Sequence, residues 1–295
     1  MNVDMYLLVW NNADMLDFMF RHYDPIVRRY VAFDDGSTDG SLEILRAHPR
    51  VEIRALPPLE IAGSHVLRAL GVWETCWRET SGDADWVIIA DVDEHLHHPD
   101  LMGYLGRCLG EGVTIIPALG YQMLSDALPA TGRLCDQVTR GAPWAQMSKL
   151  GAFAPRAIDA LNYGPGRHQA RLTGRLVAPV RDELLLLHYK YLGFERVLRQ
   201  IEQARERLTD VDRSAGHGHR WRFSRRRLMR DWRAFEARAV DVSRPDLEPW
   251  RTHTEPRWWR SADGSLRMPD ALPASRPRAS LLARGVRRLR AMVTP

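Results

Sequence analysis

Acidic side chains gather at two places in this sequence where short apolar runs end. Residues 86–90, Trp-Val-Ile-Ile-Ala, stop abruptly at Asp91-Val92-Asp93-Glu94. Carboxylates at i and i+2 just past a buried strand can face one side while the chain stays extended. Mg²⁺ and Mn²⁺ take oxygen ligands, and Mg²⁺ often keeps only one or two protein carboxylates beside phosphate oxygens. Three acids in four residues are costly at a sheet end with no cation to neutralise them. The cluster therefore reads as a metal–diphosphate site; its bland alternative is a solvated turn. The second gathering is Asp34-Asp35-Gly36-Ser37-Thr38-Asp39, after the apolar run at 30–33. A carboxylate there can accept from a base N–H or a ribose hydroxyl, and Gly36 lets the backbone come close to a ligand. The same residues can form a capped turn with Ser37 or Asp39 as the cap, and both readings can hold together.

A third run, residues 184–187, ends in His188-Tyr189-Lys190. An imidazole there could complete a metal shell and Lys190 could neutralise phosphate, although a lone strand-end histidine is more often structural. Lysine is worth noticing in this chain, because Lys149 and Lys190 are its only two among 42 basic residues. His95, His97 and His98, followed closely by Pro99 and Asp100, read as a loop entering a helix rather than as a metal cluster.

Short apolar runs at 5–10, 30–33, 51–54 and 86–90 alternate with helical stripes. Leu16, Met19, Phe20 and Tyr23 recur at helical spacing behind Asn11, Asn12 and Asp14, and Leu67, Leu70, Trp73 and Trp77 mark another face. Four such alternations predict an α/β fold with a mostly parallel sheet and helices on both faces. In such sheets ligands bind outside the carboxyl ends of the strands, where the acids lie. Later, 113–116 and 183–188 read as strands, and 194–208 as a helix. A further helix carries Trp221, Leu228, Trp232 and Phe235. Residues 120–180 show no clean period and read as long, irregular, Gly-rich loops. There Trp144, Tyr163 and His168 could stack on a ligand ring or simply pack. Trp250, Trp258 and Trp259 suit an ordered strap or a membrane-interface anchor.

Length and composition, 295 residues with 45% apolar and 27% charged types, exclude disordered and disulfide-scaffold chains. The three cysteines imply neither a disulfide framework nor a zinc knuckle, and a reducing cytoplasm fits. No apolar run reaches the roughly 18 residues a membrane span needs, and the first residues do not read as a signal peptide. The net charge of +5 is a weak argument for nucleic acid, which is not expected as a partner. Residues 276–295 carry six arginines and no acid. They suit either a disordered basic tail or a short amphipathic helix lying peripherally on the inner face of a membrane. The expected organisation is a catalytic domain over 1–215 and a helical extension with basic tail over 216–295.

The set Leu8-Val9-Trp10-Asn11-Asn12, the Asp34–Asp39 turn, Asp-Trp-Val-Ile-Ile-Ala-Asp-Val-Asp-Glu at 85–94 and Leu-His-Tyr-Lys-Tyr at 187–191 resembles the family-2-type bacterial glycosyltransferases of the GT-A fold, in the Asp-x-Asp-Glu branch. The pieces span roughly residues 5 to 200 in the family's order. The resemblance implies a Rossmann-like GT-A sheet and a metal-dependent, inverting transfer of sugar. The donor would be a UDP- or GDP-type nucleotide-sugar and the acceptor a glycan or lipid-linked hydroxyl. It implies that Asp35, with Asp34 nearby, holds the base; that Asp91 touches ribose or metal; and that Asp93 ligates Mn²⁺ or Mg²⁺. His188 resembles the family's late metal histidine, and Lys149 lies where a basic donor contact is often found. Asn11-Asn12 replaces the family's common Asn-Glu, which puts that donor contact in question. The usual Glu-Asp pair that supplies the general base is absent, leaving Asp126 and His168 as candidates. A nucleotidyltransferase, or a binding protein that has lost its base, remains an alternative on these residues.

Overall fold

A computed structural model describes residues 1–80 and 82–269 of the chain. Its first third is strand, helix, strand in alternation. The elements are β1 (Val3–Val9), α1 (Ala13–Tyr23), β2 (Arg29–Asp34), α2 (Ser41–Ala47), β3 (Val51–Ala55), α3 (Leu59–Ala62), α4 (His65–Trp73) and β4 (Trp86–Asp91). β1 lies between β2 and β4, parallel to both, and β3 adds in parallel outside β2. Continuous apolar runs suit such strands because both their faces are covered. On one face Met15, Leu16, Met19 and Tyr23 of α1 pack against Met5, Leu7 and Ile88. On the other, Leu67, Leu70 and Trp73 of α4, with Trp77, pack against Tyr6, Val31 and Val87.

The register fixes where chemistry can sit. Val9 pairs with Asp34, and Leu8 pairs with Asp91. The two acidic clusters therefore lie on one edge of the sheet, on either side of the end of β1.

From residue 94 the sheet becomes mixed. The next elements are β5 (Glu94–His97), α5 (Leu101–Gly110), β6 (Ile115–Ser125), α6 (Leu134–Gln137), β7 (Arg140–Pro143) and β8 (Lys149–Phe153). A two-stranded β9 (Ile158–Ala160) and β10 (Thr173–Gly174) follow, then β11 (Leu185–Leu192), α7 (Phe194–Arg207), α8 (Asp210–Ser214), α9 (Arg225–Glu236), β12 (Val240–Asp241) and α10 (Pro249–Thr252). The ten-stranded sheet runs β12-β7-β6-β8-β4-β1-β2-β3, with β11 paired to β6 and β5. β8 is antiparallel to both β4 and β6, whereas β11 is parallel to β6.

Two expectations are corrected here. The stretch after residue 120 is not all loop: β6 runs eleven residues and is buried from Ile115 to Leu124, so no polar residue breaks it into a readable period. Residues 94–97 are not a loop either but β5, antiparallel to β11, and His95 is fully buried with its ring stacked 4.7 Å from His22. The expected helix does follow, as α5, with the Asp100 carboxylate accepting from Gly103 N–H at 2.9 Å. Trp221 stands outside α9, whose buried stripe is Leu228, Trp232 and Phe235.

Residues beyond 215 pack on the sheet. Phe223, Leu228, Trp232 and Phe235 share a cluster with Leu124, Tyr191 and Val197. Trp259 is wholly buried in the main core, so 257–260 is a strap. The expected basic tail, 276–295, lies outside the described residues. No helix among the described residues is long and apolar enough to cross a membrane.

The strap is fastened to the approach of β11 by Asp182. This fully buried carboxylate accepts from Trp259 Nε1 at 3.1 Å, Arg257 at 3.0 Å and Arg260 at 2.8 Å. Asp182→Ala leaves those donors without their acceptor, and removing one partner of a buried pair costs roughly 3–5 kcal/mol. Urea unfolding followed by tryptophan fluorescence should show a loss of that order, whereas a change within about 0.5 kcal/mol, typical of a surface position, would show the strap is not held there.

Candidate functional site

At the carboxyl edge of the parallel strands, Asp91 ends β4 and Glu94 begins β5, with a two-residue turn between them. Glu94 points inward and is buried. Its carboxylate accepts from Lys149 Nζ at 2.5 Å and Arg167 Nη2 at 2.9 Å. Burial alone would raise this carboxyl, but Lys149 and Arg167 hold it well below the usual carboxylate range. Lys149 is thus a buried counter-charge to Glu94, although it also lines a cavity.

Arg167 reaches this position from a turn in which Gly166 (φ 67°) and Arg167 itself (φ 58°) are both left-handed. That region is unusual for a residue with a bulky side chain. It delivers the guanidinium to Glu94, to Asp91 at 3.1 Å and to the carbonyl of Ile89. Asp91 is half-exposed, and its carboxyl is pushed up to about 6, first by desolvation and then by the Glu94 charge, against the pull of Arg167.

Asp93 stands apart from this cluster and faces His188, with Oδ2 3.7 Å from Nε2. His188 Nδ1 is 2.7 Å from Gln122 Oε1, and the Gln122 amide donates to the carbonyls of His188 and Met123. That orientation leaves Gln122 Oε1 as an acceptor, so Nδ1 carries the proton and Nε2 presents a lone pair toward Asp93. Burial lowers the imidazole to about 4, so it is neutral at pH 7.

The Asp34–Asp39 turn divides its acids between jobs. Asp34 accepts from the N–H groups of Gly36 and Ser37 and so closes the turn. Asp39 accepts from Ser41 and, with its other oxygen, from Ala13 N–H at the start of α1. Asn11, left-handed at φ 50°, accepts from Thr38 N–H at 2.8 Å, and Asn12 Oδ1 accepts from Trp10 N–H. Asp35 instead meets Arg68, Arg207 at 2.9 Å and His65 Nδ1 at 3.1 Å. Burial would raise its carboxyl, but His65, Arg207 and Arg68 outweigh that and hold it below the usual range. The Arg207 guanidinium also lies 4.0 Å from the ring of Trp10.

Two cavities open on this edge. The first, about 270 Å³, is walled by Trp10, Asn12, Asp35, His65, Trp73 and Arg207. The second, about 420 Å³, is walled by Gln122, Trp144, Lys149, His168, His188 and Arg220, among others. Asp91, Asp93 and Lys190 line both. Lys190 pairs with no carboxylate among the described residues. His168 holds the Gln146 carbonyl with Nδ1, and burial lowers its imidazole to about 3, which makes it a weak proton acceptor. Asp126 is exposed at the end of β6 and lines neither cavity. Trp144 reaches the second cavity with Arg220 stacked 4.5 Å from its ring, and Tyr163 is buried and lines neither.

Arg68, Arg167, Arg207 and His65 were not anticipated from the sequence. Arginines are everywhere in this chain, so none stands out by type. Only the Gly164-Pro165-Gly166 turn before Arg167 marked an unusual backbone.

The Asp91 shift gives a stability test. The folded state holds this proton more tightly than a free carboxyl of 3.8 does, so stability falls as pH rises from 3.8 to about 6. Asp91→Asn removes that loss and should melt higher than the parent at pH 8, with the gap closing below pH 4. A variant no more stable than the parent at pH 8 would mean the Arg167 ion pair outweighs desolvation.

No protein-family model matches this chain, and no curated protein does. Among solved structures it is similar to S. aureus TarS, with 12% identity and a TM-score of 0.35 over 52% of this chain and 28% of that one. For S. aureus TarS 1-349 in complex with UDP the values are 12%, 0.31, 52% and 47%. For S. aureus TarS 1-349 in complex with UDP-GlcNAc they are 11%, 0.36, 73% and 70%. The chain thus spans from about a quarter to under half of the first two.

Proposed function

We propose that this chain is a glycosyltransferase that moves a sugar from a nucleoside-diphosphate donor to a hydroxyl acceptor. The observation that carries the reading is the meeting of two cavities at Asp91, Asp93 and Lys190. The first has aromatic walls in Trp10 and Trp73 and hydrogen-bonding groups at Asn12 and His65, which suits a nucleoside. The second is larger and carries hydrogen-bonding side chains at Gln122, Gln146 and Arg220, which suits a sugar and its acceptor. At the junction Lys190 supplies a positive charge that no carboxylate among the described residues claims, where a diphosphate would lie. The ordered resemblance of residues 5 to 200 to GT-A glycosyltransferases supports the same reading.

The donor set at Asp93 and His188 fits a divalent cation. Two electron-pair donors face each other at 3.7 Å, the imidazole is neutral, and its tautomer is fixed by Gln122. No group of three histidine, cysteine or acidic side chains able to hold a metal occurs among the described residues. Asp93 and His188 would therefore hold the ion with oxygens from elsewhere, as diphosphate oxygens can provide. Once bound, Mn²⁺ or Mg²⁺ would supply Lewis-acid stabilisation of the departing diphosphate.

The chain's own residues account for the remaining steps. Cleavage of the sugar–phosphate bond leaves negative charge on the diphosphate, and the Lys190 ammonium is placed to neutralise it. Arg167 and Lys149 are tied to Glu94, so they fix the floor of the junction. An inverting course, as the resemblance implies, places the acceptor on the side of the sugar away from the leaving group, which the second cavity can hold.

Thermal melting against nucleoside diphosphates and nucleotide-sugars, with Mn²⁺, Mg²⁺ or EDTA, tests this directly. A ligand at a hundred times its Kd should add about 2.7 kcal/mol. Lys190→Ala should weaken that nucleotide about tenfold or more, as loss of a hydrogen bond to a charged group does. Asp93→Ala should abolish the cation-dependent part alone. A folded protein stabilised by no nucleotide under any of these conditions would end the proposal.

A further inference from the structure

The sequence left the general base between Asp126, which lies outside both cavities, and His168, which lines the second with Nδ1 held by the Gln146 carbonyl. The second cavity has another imidazole in its wall. His217 lies in a turn between Gly216 (φ 76°) and Gly218 (φ 59°), directly after α8. A Cβ at Gly218 would come within 2.5 Å of the Trp221 ring, so glycine is required there on both counts. The ring is more than nine-tenths buried.

Its two nitrogens have different surroundings. Nδ1 lies 3.2 Å from Asp212 Oδ1. Asp212 is itself fully buried and accepts from Ser64 Oγ at 2.5 Å, Thr209 Oγ1 at 2.9 Å and His65 N–H at 3.2 Å. His217, Ser64, Thr209 and the His65 N–H together hold the Asp212 carboxyl far below the usual range despite burial. A carboxylate can only accept, so Nδ1 carries a proton, and a ring protonated on Nδ1 alone has its lone pair on Nε2. Nε2 is buried and has no hydrogen-bond partner. An orphaned acceptor of this kind is costly unless a ligand or water meets it. A carboxylate that orients a histidine whose far nitrogen is free is the arrangement by which a hydroxyl proton is removed.

We propose that His217 is the general base of the transfer, oriented by Asp212. This rests on the nucleotide-sugar reading above. The acceptor O–H proton passes to Nε2 as the acceptor oxygen bonds to the anomeric carbon. The bond from that carbon to the diphosphate oxygen breaks, its electron pair leaves with the nucleoside diphosphate, and the imidazolium returns its proton to solvent.

The experiment measures release of nucleoside diphosphate from a nucleotide-sugar panel, with water or a sugar hydroxyl as acceptor, beside calorimetric binding of the nucleoside diphosphate. His217→Ala should lower kcat roughly 10²- to 10⁴-fold, as loss of a general base does, with nucleotide Kd within about twofold of the parent, the ordinary spread for a residue outside the binding contacts. Added imidazole should restore part of the turnover. His217→Gln, which keeps the volume and a polar tip, should lose as much and stays informative if the alanine variant does not fold. A parental kcat in either folded variant would overturn the assignment, as would a loss in His217→Ala that imidazole leaves unchanged. A parent that binds nucleotide but never turns over would also overturn it, leaving the donor site standing. A parent that binds no nucleotide would remove the reading on which it rests.

Discussion

The buried Glu94 carboxylate is the constraint on which the site depends. It begins β5, and its partners come from β8 through Lys149 and from the 164–168 turn through Arg167. Three segments distant in sequence are thus pinned at one point beneath the strand ends. A single carboxylate at 1% exposure would carry a heavy desolvation cost, and two cations in contact are what make it tolerable. Asp91 shares Arg167 with Glu94, but desolvation and the Glu94 charge outweigh that contact and disfavour its ionised form. Asp93, one residue before Glu94, is left outside this balance, facing His188 and the cavities. The turn between β4 and β5 therefore sorts its acids by partner: Glu94 against Lys149 and Arg167, Asp91 sharing Arg167, and Asp93 facing His188.

The parallel half of the sheet was legible because its strands are short, wholly apolar and separated by helices with clear stripes. Each of the four runs became a strand, and α1 and α4 bury the residues that the spacing selected. The mixed half was not legible, for a physical reason. β6 is buried on both faces for ten of its eleven residues, and its polar members, Gln122 among them, are satisfied inside rather than turned out to solvent. A pattern of alternation never forms, so a long central strand looks like irregular chain. β5 is the same case: its histidines look like a polar loop, yet His95 packs among His22, Tyr23 and Tyr189.

In the site, the sequence revealed the carboxylates but not what surrounds them. Asp35 and Glu94 are each neutralised by arginine, and arginine carries no information by type in a chain with forty of them. Lys149 and Lys190 stood out by rarity, and they fill opposite roles: one is buried against Glu94, the other lies at the junction of the cavities with no carboxylate partner among the described residues. Residue identity could not separate them, because the difference is whether the neighbouring strand supplies a carboxylate. His217 was invisible for a related reason. Its partner Asp212 is only five residues away, but Asp212 is itself set by Ser64 and His65, which lie at the start of α4 and far off in sequence.

The second half of the chain is bound into the first through β11. This strand carries His188 and Lys190, and after Gly193 (φ 77°) it turns directly into α7, whose last turn sets Arg207 against Asp35 and Trp10. α8 follows at once, and Asp212 anchors it to Ser64 and His65 at the start of α4, with His217 just beyond. His65 also reaches Asp35. One continuous segment, 185–217, therefore supplies Lys190 at the meeting of the two cavities, Arg207 in the wall of the first, and His188 and His217 in the lining of the second. It meets the parallel sheet at both ends of the cleft, near Asp93 and near Asp35. The Arg207 guanidinium that lies on Trp10 in the wall of the first cavity is the same one that holds α7 to Asp35, so the cavity wall and the seating of the 185–217 segment depend on one side chain.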